Sequence, residues 1–554
     1  MQGVHIFPER GDFYGYGREG GSPMFRKPRR GKAGSRETRM QDAIRGRGAE
    51  ALQSMADVAL TADLEENLSL MKDGVGDSAD VIVRRLRIGA LSRTAALVFI
   101  DGLADATTID RYILEPLMRA APPETGDGRA GAPLEWLHHA ELPINEVAEV
   151  DRLADATHAV LSGDSALFVE GASKALLLNT KGFEKRGIEE PRSEAVVRGP
   201  RNGFAETIRM NTAQIRLKLK DPKLRIKGFQ VGRRGNTSVA AAYIEGVADP
   251  HIVDEVVRRI EAIDIDAVLD SGYIEQFIED THWTPFPLIQ NTERPDKVVA
   301  NLLEGKVAIL CDGSPFVLIA PAVFNQFYHS PEDYYERYLI ATLIRFIRII
   351  SMGMAVLLPS LYIAFSSFHP EMIPSRLVIA MAAGRSTVPF PSIVEAFLME
   401  ITMEILREAS VRLPGPIGPT IGIVGALVVG QAAVEAGIVS PIMVIVVALT
   451  TIGSFASPSY SAAIALRMLR FPMMAAAALF GLYGIMLFII LVVIHLCSLK
   501  SFGVPYMAPL TPFRRKDVKD SFYRAPLYRM KERPTFFVPG DKTRMGDRAK
   551  EDET

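Results

Sequence analysis

Phe471–Ile494 reads FPMMAAAALFGLYGIMLFIILVVI, and Ile349–Phe368 reads IISMGMAVLLPSLYIAFSSF. Neither run holds a charged residue, and each has the length a helix needs to cross a bilayer, roughly 20 apolar residues. Ahead of about Asp333 the chain changes character, with many charges and short apolar runs spaced as in a water-soluble protein. The fold class expected is an α/β soluble N-terminal domain of two subdomains, followed by an all-α polytopic transmembrane domain. Four regions follow: a disordered basic, Gly-rich extension over 1–75, a cytoplasmic α/β domain over 76–330, transmembrane helices over 331–503 and a basic C-terminal tail over 504–554.

The near balance of 63 basic and 65 acidic residues hides an uneven layout. Arg26, Lys27, Arg29, Arg30, Lys32, Arg36 and Arg39 crowd a stretch with almost no apolar periodicity, which predicts disorder. Aromatic residues do not interleave with these charges as a base-stacking surface requires, so nucleic acid is not an expected partner. Arg514, Arg515, Lys516 and Lys519 follow the last apolar run and suit a membrane surface with anionic lipid. The polar first fifty residues show no secretory signal, which keeps the soluble half cytoplasmic. Cys311 and Cys497 fall in different halves and predict no disulfide. The nine histidines lack metal-ligand spacing, so neither metal nor cofactor is expected.

In the front half, Asp63–Met71 suggests a short helix, and Val81–Ile88 and Ala95–Ile100 suggest strands before a helical Thr108–Arg119. A helix over Ile144–Asp155 and strands near His158–Leu161, Ser165–Val169 and Lys174–Asn179 come next. Farther on, Glu206–Arg216 and His251–Ile263 read as helices. Leu224–Val231, Ser238–Ile244, Lys306–Cys311 and Phe316–Ile319 read as strands, and Asp270–Tyr273 as a β-like turn. The pentapeptide Leu103–Thr107 recurs as Leu153–Thr157 without wider similarity, so no repeat is inferred.

Five membrane segments are expected: Ile340–Phe368, Pro391–Ala409, Pro416–Val439, Pro441–Leu466 and Phe471–Leu499, with Leu377–Ala383 a re-entrant candidate. Five crossings would put the basic tail outside, so its charge argues for an even number. Glu400, Glu404 and Glu408 lie four apart on one helical face. Within a membrane such a stripe needs water, a cation or a partner, and it suits a cation-selective passage. At an interface the same residues would rest in water, neutralised by Arg407 and Arg412. Gln431 and Glu435 stand one turn apart as further intramembrane polar candidates. Gly425 and Gly430 are small-residue packing positions, and Pro359 is a kink in the first span. In the soluble half, Glu194, Arg198, Gly199 and Pro200 read as a salt bridge beside a tight turn between subdomains. No phosphate loop or catalytic triad spacing is present, so no enzyme is expected.

The run Glu190-Pro191-Arg-Ser-Glu194-Ala-Val-Val-Arg198-Gly199-Pro200 resembles the soluble-domain signature of spore germination receptor A subunits. Arg294-Pro295-Asp296, Leu303-Glu304-Gly305 and Asp312-Gly313-Ser314-Pro315 agree with it. So do Pro359-Ser-Leu-Tyr362, Arg385-Ser-Thr-Val-Pro389-Phe390-Pro391 and Glu408-Ala-Ser-Val-Arg412. The resemblance implies a multi-pass protein of the spore inner membrane. It also implies a transporter-like B subunit and a lipoprotein C subunit as partners, and assembly as a homo-oligomer into a nutrient-gated cation channel. Stage V sporulation AF-type paralogues share the motifs, and a non-conducting scaffold of that kind is the alternative.

Overall fold

The computed structural model describes residues 58–89, 93–119, 142–144, 146–182, 190–191, 193–411 and 417–545. Most of the basic extension, the loop at 121–133 and His138–His139 lie outside these. The extension's predicted end at residue 75 is corrected, because α1 (Leu64–Val75) is an ordered helix capped by Asp63, which accepts from the backbone N–H of Glu65 and Glu66. Its apolar stripe, Leu64, Leu68 and Met71, is buried in the first subdomain.

That subdomain is a five-stranded antiparallel sheet in the order β1-β2-β4-β5-β3, formed by β1 (Val81–Ile88), β2 (Arg93–Ile100), β3 (Val147–Val150), β4 (Ser165–Val169) and β5 (Ala175–Leu178). Alternation along β2 feeds both faces. Ala96, Val98 and Ile100 pack with α1 and α4 (Leu153–Leu161), while Ala95 and Leu97 pack with Ile109, Ile113 and Leu117 of the helical stretch 106–119, which holds α2 (Ala106–Ile109) and α3 (Glu115–Arg119). Two expectations fail here: residues 147–150 are strand rather than helix, and residues 158–161 finish α4 rather than start a strand.

The second subdomain repeats the design. Strands β6 (Leu224–Val231), β7 (Thr237–Ile244), β8 (Gln290–Thr292), β9 (Val307–Cys311) and β10 (Val317–Ala320) form an antiparallel sheet in the order β6-β7-β9-β10-β8, which is the order of the first. One face carries α5 (Ile208–Lys218) and α8 (Pro295–Leu302). The other carries α6 (Pro250–Glu261) and α7 (Ser271–Ile278), a helix where a β-like turn was expected. The soluble region is thus a duplicated three-layer unit. The recurring pentapeptide marks something else, since both its copies sit within the first subdomain. The fully buried Arg216 of α5 joins the units by donating to Asp80 at 2.7 and 3.0 Å and to Ser78 at 3.0 Å.

Behind the soluble region come α9 (Tyr338–Ser367), α10 (Ser375–Arg385), α11 (Ser392–Val411), α12 (Ile417–Glu435), α13 (Pro441–Phe455) and α14 (Tyr460–Ser498). Among the described residues, α9 and α14 are long and apolar enough to cross a membrane. Only 28% and 22% of their most apolar windows are buried in the chain, which supports membrane association. The other expected spans are shorter apolar helices, or carry the carboxylates of α11. The path of α14 bends at Gly481 (φ 59°), where a Cβ would stand 2.8 Å from the His369 ring, and Leu482–Ser498 returns the chain to the soluble domain.

The separate tail expected over 504–554 is not separate: with residues 500–503 before it, its described part, to residue 545, forms a strap over the second subdomain. Phe502, Val504, Ala508, Phe536 and Phe537 enter the same core as Ile252, Ile274 and Leu318. The chain before α9 and the chain after α14 are therefore on one side of the helices.

Candidate functional site

The Glu194–Pro200 loop fastens the soluble domain to the segment that leads into α9. The Glu332 carboxylate accepts from the backbone N–H groups of Val197 (2.7 Å) and Arg198 (3.0 Å), and Arg198 reaches Glu336 at 3.7 Å. Gly199 has φ 142°, and a Cβ there would stand 2.8 Å from the Tyr335 ring, so only glycine admits this contact. The Tyr335 hydroxyl donates to Asp296, and the buried Arg294 donates to Asp296 (2.8 Å) and to the carbonyls of Pro200 (3.0 Å) and Glu194 (3.1 Å). Glu194 does not pair with Arg198, as the sequence suggested. It takes Lys297 at 2.5 Å and the Thr292 hydroxyl. The motif is a joint to the helices rather than a clasp between subdomains.

The centre of the joint is Asp333, 2% exposed, in the 3-10 turn Pro331–Tyr334. Two arginines one turn apart on α9 converge on it, Arg345 at 3.2 Å and Arg348 at 3.1 Å. Arg345 also binds Asp520 of the strap at 3.0 Å and the Ser521 carbonyl at 3.2 Å, while Arg348 donates to the Tyr328 carbonyl at 2.7 Å. Tyr334 donates to Asp520 at 2.6 Å, and burial raises the pKa of both groups. Burial, aided by Arg345, holds His329 far below its usual pKa, so the neutral ring donates through Nε2 to the Ser521 carbonyl at 3.1 Å. Three chain segments distant in sequence meet in one desolvated charge network. Removing one partner from such a network costs about 3–5 kcal/mol.

Among the helices, the acidic face of α11 is paired. Glu400, fully buried, binds Arg470 of α14, and Glu404 meets Arg467 at 3.1 Å and Arg470 at 3.7 Å. Glu395, also fully buried, meets Arg385 at 3.2 Å and accepts from the Ser440 N–H at 3.0 Å. Of the two arginines expected to neutralise this stripe, Arg412 lies outside the described residues, and Arg407 donates to Ser454 at 2.8 Å and covers the Phe455 ring. Gln431 and Glu435 are exposed and join no buried cluster. Pro359 is buried within α9. A Cβ at Gly425 would stand 3.2 Å from Leu406, and one at Gly430 would stand 3.3 Å from Val444, so both lie against neighbouring helices. Gly453, not singled out from sequence, is tighter: a Cβ would come 2.6 Å from the Ser351 carbonyl of α9. Sequence reasoning also missed Asp333, Asp520 and Arg470. The signal was present, since two arginines on one face of an apolar helix require a buried acid.

Fold and joint define a class: a duplicated soluble domain fastened to both ends of an apolar helix pair. The chain belongs to the Bacillus/Clostridium GerA spore germination protein family, whose model matches residues 69–536. It is 45% identical over 490 residues to the spore germination protein KA of Bacillus subtilis (strain 168), covering 88% of this chain and 89% of that protein. To the stage V sporulation protein AF of the same organism it is 34% identical, covering 85% and 94%. The crystal structure of the N-terminal domain of the A subunit of the Bacillus megaterium spore germinant receptor GerK3 matches at 38% identity with a TM-score of 0.38, covering 48% of this chain and 98% of that one.

Proposed function

We propose that this chain is the multi-pass A subunit of a germinant receptor in the spore inner membrane, with its duplicated domain in the cytoplasm. On this reading it works with a transporter-like B subunit and a lipoprotein C subunit, and copies of it assemble into a cation channel. The observation that carries the reading is the Asp333 network. It ties the soluble domain to the start of α9 and to the strap that follows α14, so displacement of the domain moves both long helices together. A partner with different affinity for two arrangements of the domain would shift the helices by that difference. Greater identity to protein KA than to the stage V protein supports the receptor subunit over the paralogue.

Trp283 supports the membrane reading. It is 93% exposed beside Thr284, whose hydroxyl meets the His495 ring at 2.9 Å in the last turns of α14. An indole at the end of a span suits the lipid headgroup layer. In the W136F protein in vesicles, brominated lipid should quench Trp283 strongly, and unquenched fluorescence would refute this placement.

In the arrangement described, Glu400 and Glu404 are occupied by Arg470 and Arg467, which suits a closed passage in which opening exposes the carboxylates. The same pairing favours the second reading, a non-conducting scaffold. Proteoliposomes containing the purified full chain separate the two. Cation flux that falls in a Glu400→Gln/Arg470→Gln variant of normal thermal stability supports the passage, while inert vesicles support the scaffold.

A further inference from the structure

The strap links the near ends of the two long helices. Its Thr511 Oγ1 lies 3.9 Å from the Cys497 Sγ in the last turn of α14. Farther along, the Arg524 N–H donates to the Thr342 hydroxyl in the second turn of α9 at 3.2 Å, and the Ser521 carbonyl accepts from Arg345. Residues 511–524 therefore run from the end of one long helix to the start of the other. Along this stretch the acids are engaged by the protein. Asp517 accepts from the Thr535 N–H and hydroxyl, and Asp520 from Tyr334 and Arg345. Arg514, Arg515, Lys516, Lys519 and Arg529 are exposed. Lys516 meets the exposed Glu532 at 3.2 Å, a pair that solvent and salt weaken. Large rings are exposed among these bases: Phe513 is 70%, Tyr523 45% and Phe522 39% exposed. Phe522 and Tyr523 stand between the two contacts with α9, at the level where its exposed apolar residues Leu339 and Leu343 begin. Bases mixed with open rings beside two spans suit a lipid headgroup layer.

We propose that residues 511–529 of the strap are a docking surface for an anionic bilayer. Arg514, Arg515, Lys519 and Arg529 take lipid phosphates, while Phe513, Phe522 and Tyr523 enter the headgroup layer. Continuity with both helix ends favours a bilayer over an acidic protein or a nucleic acid, because lipid borders those ends. Asp520 and Ser521 lie inside the docked stretch and hold Arg345. Lipid that binds this arrangement of the strap therefore stabilises the Asp333 network by mass action. The inference rests on the membrane placement proposed above and not on ion conduction.

The test uses the full chain in nanodiscs of phosphatidylcholine, alone or mixed in equal parts with phosphatidylglycerol. Hydrogen exchange over 511–529 should be slower in the mixed discs. Arg515→Gln and Lys519→Gln should each remove about fivefold of that slowing, with the melting temperature in phosphatidylcholine unchanged. Phe522→Trp in a Trp136→Phe/Trp283→Phe background should be quenched by brominated phosphatidylglycerol. If it is not quenched while Trp283 is quenched in the W136F protein, the chain is in the membrane and the docking proposal alone falls. If neither is quenched, the membrane placement falls and the proposal with it. Exchange that ignores phosphatidylglycerol overturns the proposal. So does equal slowing by glycerol 3-phosphate or polyglutamate in phosphatidylcholine discs, which would make the surface one for soluble anions.

Discussion

The two soluble subdomains share one strand order but differ in what closes them. The first covers its sheet with its own helices, α1 and α4 on one face and the stretch 106–119 on the other. The second borrows Phe502, Val504, Phe536 and Phe537 from beyond the helical region, and it holds the fully buried Arg294 and Lys306 at the two ends of the stretch that contains α8. Two scaffolds of the same strand order therefore play different parts, and the second is the mount for the helices. The first is left to answer the second through the Arg216–Asp80 contact.

Substitutions can break that contrast. The largest effect is expected from Asp333→Ala, which removes the carboxylate that Arg345 and Arg348 share. Arg345 keeps Asp520 and Arg348 loses its carboxylate partner, so the change should cost about 3–5 kcal/mol and open the strap to limited proteolysis. Asp80→Ala should cost a similar amount yet leave the strap protected. A strap released by both changes would mean that the halves are not specialised. Phe537→Ala removes a fully buried ring and should cost about 3 kcal/mol or more. Hydrogen exchange should rise in β9 and β10 while β4 and β5 stay protected.

A smaller effect concerns pH. Burial lowers the Lys306 pKa to about 8 from 10.5. Between those values the unfolded chain keeps a proton that the folded protein has lost, so stability rises with pH across that window. Lys306→Met should flatten the rise in unfolding free energy measured from pH 8 to 10.5. The smallest test compares helix caps: Asp63→Ala at α1 and Asp249→Ala at α6 should each cost about 1 kcal/mol. A much larger loss at Asp249 would show that the second scaffold is more tightly coupled throughout than its architecture implies.

What sequence revealed follows how local each cause is. The β6 and β7 strands are long runs bounded by turn residues, and both ends of the pair were readable. Residues 147–150 and 290–292 were not, because short strands with polar members gain their place from neighbours. Asp270–Tyr273 misled because an N-cap and a turn use the same residue. Here Asp270 accepts from the Gly272 N–H and starts α7. At the site, the need of Glu400 for a counter-charge was legible, but its partner Arg470 lies on another helix and no periodicity links them. Likewise Arg345 and Arg348 lie on α9 while their shared acid, Asp333, stands in the turn before it, beyond the reach of any helical periodicity.

The strap also sets an order of assembly. Strand β10 leaves the ribosome long before Phe536 and Phe537, with all of α9 to α14 made in between. The second subdomain lacks the Phe536 and Phe537 rings until the helices have been made and the last residues return. A nascent chain stalled within α14 would present an open apolar face to chaperones, while its first subdomain was already folded.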